Sequence, residues 1–173
     1  MEGANVIVTS RDLARSTALA QKINAETSTE RARGIKAASP HEVGEAIKES
    51  QVILSAGAAG IALLPSAALE EFGSNCKVVA DINAIPPLGV EGLKPNDENA
   101  ELMPGTYGIG ALTIGTFKNK IEAKLFKLAV EAPKGIFDYK VAYEIAKSIV
   151  TEKLAKEGNK QNPGESGRNL LPF

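Results

Sequence analysis

The sequence lacks the residues that mark several large classes of protein. It has a single cysteine, Cys76, so neither a disulfide framework nor a thiolate metal cluster is expected. The formal net charge is only -1, which gives no electrostatic reason to expect binding to nucleic acid or to an anionic membrane. No apolar run approaches the roughly 20 residues of a membrane-spanning helix, and no signal peptide is recognisable. We therefore expect a protein of the reducing cytoplasm in which Cys76 is a small buried side chain.

The chain has 173 residues, of which 43% are hydrophobic and 24% are charged, as in a soluble globular protein. This length predicts one α/β domain, which we place at residues 1–155. From residue 156 the sequence becomes polar and rich in glycine and proline. We expect residues 156–173 to form a tail that is disordered or docks on a partner.

Short β-branched runs alternate with stretches of helical periodicity. The runs predict strands at residues 6–8, 35–38, 51–55 and 77–82, with a helix in each interval. Ser39, Pro40 and Glu42 predict a helix start with a capping box, and His41 on that first turn is expected to be exposed and without a role. A loose loop containing Pro95 and Pro104 should then lead into a long helix and a last helix at about residues 138–154.

The alternation predicts a parallel sheet, and such sheets bind ligands beyond the carboxyl ends of their strands. In dinucleotide-binding folds, an acidic residue at the end of the second strand selects NAD through the ribose 2′-hydroxyl. This chain has Thr9, Ser10 and Arg11 after its first strand, with Arg15 one helical turn later. Hydroxyls and guanidinium groups favour a 2′-phosphate and therefore NADP. The alternative is that Ser10 caps a helix and both arginines are solvated.

The turn at residues 56–60 contains only alanine and glycine. Such a turn lets backbone approach a pyrophosphate or a ribose closely, although tight packing between a strand and a helix explains it equally well.

Three stretches together resemble the methylenetetrahydromethanopterin and methylenetetrahydrofolate dehydrogenases of methylotrophic bacteria. They are residues 55–61 (SAGAAGI), residues 80–90 (ADINAIPPLGV) and residues 107–115 (YGIGALTIG). The resemblance runs from about residue 3 to residue 149. It implies a Rossmann-like doubly wound parallel sheet, NADP as cofactor, a tetrahydropterin substrate and a homo-oligomer. A shikimate-type dehydrogenase fits residues 81–90 less well.

The resemblance also implies roles for individual residues. The group expected to contact the adenosine phosphate of NADP comprises Thr9, Ser10, Arg11 and Arg15. The group expected to line the rest of the cofactor comprises Ser55, Ala56, Gly57, Ala58, Asp81, Asn83 and Gly108. Lys118 corresponds to a lysine beside the nicotinamide and the pterin, where an ammonium would act by electrostatic preorganisation. By spacing alone, Lys118 belongs to a solvated helix face with Lys120 and Lys124.

The resemblance is incomplete at its N-terminal side. Such dehydrogenases carry a pterin-binding domain, a first Rossmann strand and a Gly-x-Gly-x-x-Gly turn before the matching region, so we expect the sheet to lack that strand and its glycine-rich loop. The strand would lie between those predicted at residues 5–9 and 51–55, and weak NADP binding should follow from loss of the phosphate-binding turn. Either these two strands pair directly, or a partner chain supplies the strand, or the sequence is a fragment. A non-catalytic assembly module that pairs with a full-length dehydrogenase is the alternative function.

Overall fold

The computed structural model describes the backbone of residues 3–161 and the side chains of residues 3–156. Strands and helices alternate through the first part of the chain, as predicted, and two long helices follow. In order, the elements are β1 (Val6–Ser10), α1 (Leu13–Thr27), β2 (Ala32–Lys36), α2 (Pro40–Ile47), β3 (Val52–Ser55), α3 (Ser66–Phe72), β4 (Val78–Asp81), β5 (Glu98–Met103), β6 (Thr106–Ile109), α4 (Ala111–Glu131) and α5 (Tyr139–Gln161). They divide into two compact units between Gly115 and Thr116.

The first unit contains all the described strands, in two sheets. β1 and β2 form a parallel pair, and β3, β4, β6 and β5 form a sheet in that order, parallel except for β5. Ser55 lies opposite Asp81 and Ala80 lies opposite Ile109, so the carboxyl ends of β3, β4 and β6 meet at one edge. The predicted α/β, Rossmann-like class with a parallel-rich sheet is confirmed.

The two sheets are not joined by hydrogen bonds between β1 and β3 in the part of the chain that the structure describes. Each of these strands therefore keeps one edge without a described partner strand. Direct pairing of the two strands, one of the three solutions expected from the sequence, is wrong for this arrangement. The break lies where the missing first Rossmann strand was expected.

The core of the first unit lies beside the larger sheet. It consists of Ile47, Leu64, Ala68, Leu69, Cys76, Val79, Val90 and Leu93. Helices α2 and α3 pack closely because Gly44 has no side chain, and a Cβ there would overlap the Phe72 ring. Cys76 is buried and free, as predicted, and burial raises the pKa of its thiol.

The start of α2 is as predicted. Ser39 Oγ accepts a hydrogen bond from the Glu42 N–H, and the Glu42 carboxylate accepts from the Ser39 N–H, which completes the capping box. His41 is exposed and makes an edge-to-face contact with Phe72.

Three boundaries differ from the prediction. The predicted loose loop contains a β hairpin, β5 to β6, whose turn places Gly105 at a φ of +79°. Strand β2 begins three residues earlier than predicted. Helix α5 continues to Gln161, past the predicted end at residue 154, and the remainder of the predicted tail, residues 162–173, lies outside the described residues.

The second unit contains most of α4 and all of α5. Lys124 of α4 forms an ion pair with Glu152 of α5, with 3.9 Å between Nζ and Oε1. Several large apolar side chains in this unit are exposed, among them Phe126, Val130 and Ile136. None of the helices described by the structure combines the length and the hydropathy needed to cross a membrane.

Candidate functional site

The end of β1 carries the first group of predicted site residues. Thr9 is exposed, and Ser10 Oγ accepts a hydrogen bond from the Asp12 N–H at 3.2 Å. Asp12, not Ser10, caps α1, because Asp12 Oδ1 accepts from the Ala14 N–H at 2.8 Å. The suggestion that Ser10 is the helix cap is therefore wrong. An acidic residue directly before Leu13 was the available sequence signal for this cap.

Arg11 and Arg15 bring positive charge to the same place. Both side chains are exposed, and neither forms an ion pair with any side chain that the structure describes. Arg15 lies in the first turn of α1, directly after the carboxyl end of β1. The two guanidinium groups are therefore free to bind an anion from solution.

Asp81 and Asn83, at the end of β4, hold a loop in place. The Asp81 carboxylate is 2% exposed, and its two oxygens accept from the N–H groups of Asn83 at 3.0 Å and Val90 at 3.1 Å. Asn83 Oδ1 accepts from the Ile85 N–H, and Asn83 Nδ2 donates to the Pro87 carbonyl. The peptide between Pro86 and Pro87 is cis. These side chains reach the predicted edge of the sheet, and their hydrogen bonds are directed into the protein.

Ser55, opposite Asp81 at the end of β3, is also buried. Its Oγ has no hydrogen-bond partner in the described part of the protein. Gly89 passes close above, and a Cβ there would overlap Ser55 Oγ and approach Asp81 Oδ1. A buried hydroxyl without a partner costs about 1–3 kcal/mol, so Ser55 offers a hydrogen bond to a ligand or a water at this edge. The role of Gly89 was missed because it depends on contacts 8 and 34 residues away in sequence.

The predicted turn at residues 56–60 follows Ser55. Ala56, Gly57 and Ala58 are exposed, which leaves their backbone open to solvent. Gly60 has a φ of +75° and so needs to be glycine, whereas a Cβ on Gly57 would overlap the Leu63 side chain. Helix α3 begins only at Ser66. The turn therefore offers bare backbone, but not the helix N-terminus of a classical phosphate-binding loop.

Two predicted residues lie apart from these groups. Gly108 is in the middle of β6, where a Cβ would meet the side chains of Leu93 and Leu102. Its small size is explained by packing. Lys118 is in the second unit, its side chain 69% exposed, with 3.4 Å between its Nζ and Glu122 Oε1. The geometry found for Lys118 is that of a solvated helix face.

The residues present fit the adenosine phosphate part of NADP better than the pyrophosphate part. Two arginines without an ionic partner among the described residues, beside two hydroxyl side chains, suit a phosphate monoester. The unpartnered Ser55 hydroxyl suits a polar group of a ligand. Among the described residues there is no group of three or more His, Cys, Asp or Glu side chains arranged to hold a metal ion.

No protein-family model matches the chain. Two curated proteins of Methylorubrum extorquens do. The bifunctional protein MdtA is 34% identical over 157 residues, covering 86% of this chain and 50% of MdtA. An NAD(P)-dependent methylenetetrahydromethanopterin dehydrogenase is 37% identical over 106 residues, covering 60% of this chain and 35% of that enzyme. The chain thus spans half the length, or less, of these curated relatives, and it is related to a pterin-using dehydrogenase.

Proposed function

We propose that this chain is the NADP-binding portion of an oxidoreductase that transfers hydride between NADP and methylene-tetrahydromethanopterin or methylene-tetrahydrofolate. The observation that carries the choice of NADP is the end of β1, where two hydroxyl residues precede two exposed arginines without described ionic partners. The reaction is proposed from the relatives, one of which is named as an NAD(P)-dependent methylenetetrahydromethanopterin dehydrogenase.

The residues at the end of β1 would select the cofactor by charge. A phosphate monoester carries about -1.5 to -2 charge at pH 7, so a guanidinium beside it forms charge-assisted hydrogen bonds. The ribose of NAD has only a neutral hydroxyl at this position, so NAD would not form these charge-assisted hydrogen bonds. Thr9 and Ser10 would donate hydrogen bonds from their hydroxyls, and the cluster of Thr9, Ser10, Arg11 and Arg15 would thus favour NADP.

The second group would lie along the rest of the dinucleotide. Ser55 would donate its free hydroxyl hydrogen bond, and the bare backbone of Ala56, Gly57 and Ala58 would allow close approach. Asp81 and Asn83 would act by holding the loop at residues 82–90, and Gly108 would act by letting Leu93 and Leu102 pack closely on β6. The nicotinamide supplies the hydride chemistry when it is bound.

Lys118 is our proposed catalytic residue, on the basis of the resemblance. Its ammonium is solvent-accessible, and its described ion pair with Glu122 is an exposed contact of a kind that contributes little. A pterin-binding domain or a partner chain would complete the enzyme, and we propose that the assembly is a homo-oligomer.

Calorimetric titration of the chain with NADP and with NAD tests the cofactor assignment. Replacing Arg11 and Arg15 with alanine should raise the Kd for NADP by about tenfold or more, roughly 1.4 kcal/mol per factor of ten, and change the Kd for NAD by less than about twofold. Arg33→Ala is the matched control, since Arg33 is also exposed but lies opposite Ile7, three residues before the carboxyl end of β2. Equal losses for both cofactors in the double variant would refute the assignment to the 2′-phosphate.

A second function is favoured by the open edge of β3. Val52 and Leu54 lie on one face of this strand and are 64% and 61% exposed, which is unusual for a parallel sheet. A module without catalytic activity that associates with a full-length dehydrogenase through this edge and the adjoining exposed face of β3 would cover them. Size-exclusion chromatography of the chain mixed with the full-length Methylorubrum extorquens dehydrogenase tests this function. Association that Val52→Lys and Leu54→Lys abolish, with no NADP binding by the chain alone, would favour the module over the enzyme.

A further inference from the structure

The end of β2 lies beside the proposed phosphate site. In the parallel ladder of β1 and β2, Ser10 lies opposite Lys36, and each is the last residue of its strand. Residues opposite each other in register present their side chains on the same face of a sheet. Lys36 therefore shares a face with Ser10.

Helix α1 covers that same face. A Cβ on Gly34 would overlap the backbone of Ser16 and Thr17, so α1 packs directly on Gly34. Lys36 follows Gly34 by two residues and projects from the same face, one step closer to the carboxyl end. The first turn of α1, which contains Arg15, is at that end because α1 follows β1 directly.

The Lys36 ammonium forms an ion pair with the Glu42 carboxylate at the carboxyl end of β2. Nζ of Lys36 lies 3.6 Å from Glu42 Oε1, and about half of the lysine side chain is exposed. The other carboxylate oxygen, Oε2, accepts from the N–H groups of Ala38 at 2.7 Å and Ser39 at 3.0 Å. The Glu42 carboxylate is thus fixed by the backbone, whereas the described contact of the Lys36 ammonium is one exposed ion pair. An exposed pair of this kind is readily exchanged for another anion.

We propose, on the basis of the function proposed above, that Lys36 is a third cation of the ribose-phosphate site, which exchanges Glu42 for the 2′-phosphate when the nucleotide binds. Arg11 and Arg15 follow β1, and Lys36 ends the neighbouring strand, so three positively charged residues lie at the carboxyl end of this pair of strands. Glu42 is the competing anion. Before a nucleotide binds, the ion pair with Glu42 keeps the Lys36 ammonium near the site. When the nucleotide binds, the negative charge of Glu42 repels the 2′-phosphate.

Two nucleotides that differ only in the 2′-phosphate test this proposal without requiring a complete dinucleotide site. They are adenosine 2′,5′-bisphosphate and adenosine 5′-monophosphate, and binding to the full chain is followed by the amide signals of residues 10–14 in NMR titrations. Lys36→Met keeps the alkyl stem and removes the charge. It should weaken the bisphosphate about five- to tenfold, the size of one charge-assisted hydrogen bond, and change the monophosphate less than about twofold. Lys36→Arg should retain the preference.

Lys48→Met is the matched control. Lys48 also pairs with a glutamate of α2, Glu45, at 3.8 Å, and is similarly exposed, but it follows the C-terminal end of that helix. The Lys48→Met variant should bind the bisphosphate and the monophosphate as tightly as the unaltered chain does. Glu42→Gln preserves a side chain able to complete the capping box and removes the competing charge, so it should tighten the bisphosphate about two- to fivefold.

The outcomes separate this proposal from the one on which it rests. If Lys36→Met binds both nucleotides as the unaltered chain does, while the Arg11 and Arg15 double variant loses the bisphosphate, the role of Lys36 is wrong and the NADP assignment stands. If the unaltered chain does not prefer the bisphosphate, both are wrong. Should Lys36→Met fail to fold, an unchanged preference in Glu42→Gln overturns the role of Lys36.

Discussion

The two sheets of the first unit differ in what they bury. In and around the four-stranded sheet, Val79, Val90, Leu93 and Asp81 are buried, each at 2% exposure or less. The β1–β2 pair and α1 bury only small side chains, namely Ser16, Ala20 and Ala32, and they carry the exposed Arg11 and Arg15. The larger sheet therefore supplies most of the hydrophobic stabilisation, while the smaller sheet presents charge at its carboxyl end. Within the first unit, most of the buried apolar side chains and the exposed arginines thus belong to different sheets.

The largest difference is expected between two leucines. Leu93→Ala removes a buried side chain and should lower the free energy of unfolding by about 2–5 kcal/mol. Leu54→Ala, on the exposed face of β3, should cost less than about 1 kcal/mol, since little burial is lost. Urea denaturation followed by circular dichroism measures both. If the two variants lost equal free energy of unfolding, the face of β3 that carries Leu54 would be buried in solution, for example in an oligomer.

The polar cluster at the end of β4 should come next. Asp81→Asn leaves one of two buried backbone N–H groups facing an amide donor, at a cost of about 1–3 kcal/mol. Asp97 accepts a hydrogen bond from the Lys94 N–H at a more exposed position, so Asp97→Asn should cost less. A loss of NADP binding in Asp81→Asn with unchanged stability would instead indicate direct contact between Asp81 and the cofactor.

The contact between α1 and β2 provides a test in the smaller sheet. Gly34→Ala places a methyl group against the backbone of Ser16 and Thr17, and the required shift of α1 should cost about 1–3 kcal/mol. Gly115→Ala, in α4, meets no atom within 4 Å and should stabilise the chain by up to about 1 kcal/mol. If Gly34→Ala is neutral in urea denaturation, α1 is packed less closely on β2 than described.

The smallest effect is on pH dependence. Hydrogen bonding from the Ala38 backbone N–H, with a further contribution from Lys36, holds the pKa of Glu42 below its ordinary value of 4.5. A depressed carboxyl pKa stabilises the folded state above the unfolded pKa, and that stabilisation is lost as the pH falls through the folded pKa. The amide signals of Ala38 and Ser39 should therefore titrate with a midpoint below pH 4.5, and a midpoint at or above 4.5 would contradict the capping geometry.

Much of the fold could be predicted because local signals agreed with it. The capping box of Ser39 and Glu42 is encoded within four residues, and the β-branched runs matched β1, β3 and β4. The β5–β6 hairpin was missed because half of the residues of β5 are polar, and its pairing is interrupted by two register shifts. Alternation of polar and apolar residues, the usual sign of a strand, extends only over residues 99–102 of β5.

The candidate site could be predicted in position but not in detail. Residues at strand ends were expected to share an edge, and Ser55 and Asp81 do so. Whether a side chain is free or engaged depends on distant contacts: the partner of Asp81 at Val90 and the packing of Leu93 on Gly108 have no local signature. The same holds for the ion pair of Lys36 with Glu42, which local spacing allows but does not require.

The most direct test of the account is a pair of titrations of the unaltered chain, with NADP and with NAD, in the same low-salt buffer. The cluster at the end of β1 predicts that NADP binds at least about tenfold more tightly, a difference that narrows as added salt screens the arginines. Equal affinity for the two cofactors, or tighter binding of NAD, would contradict it.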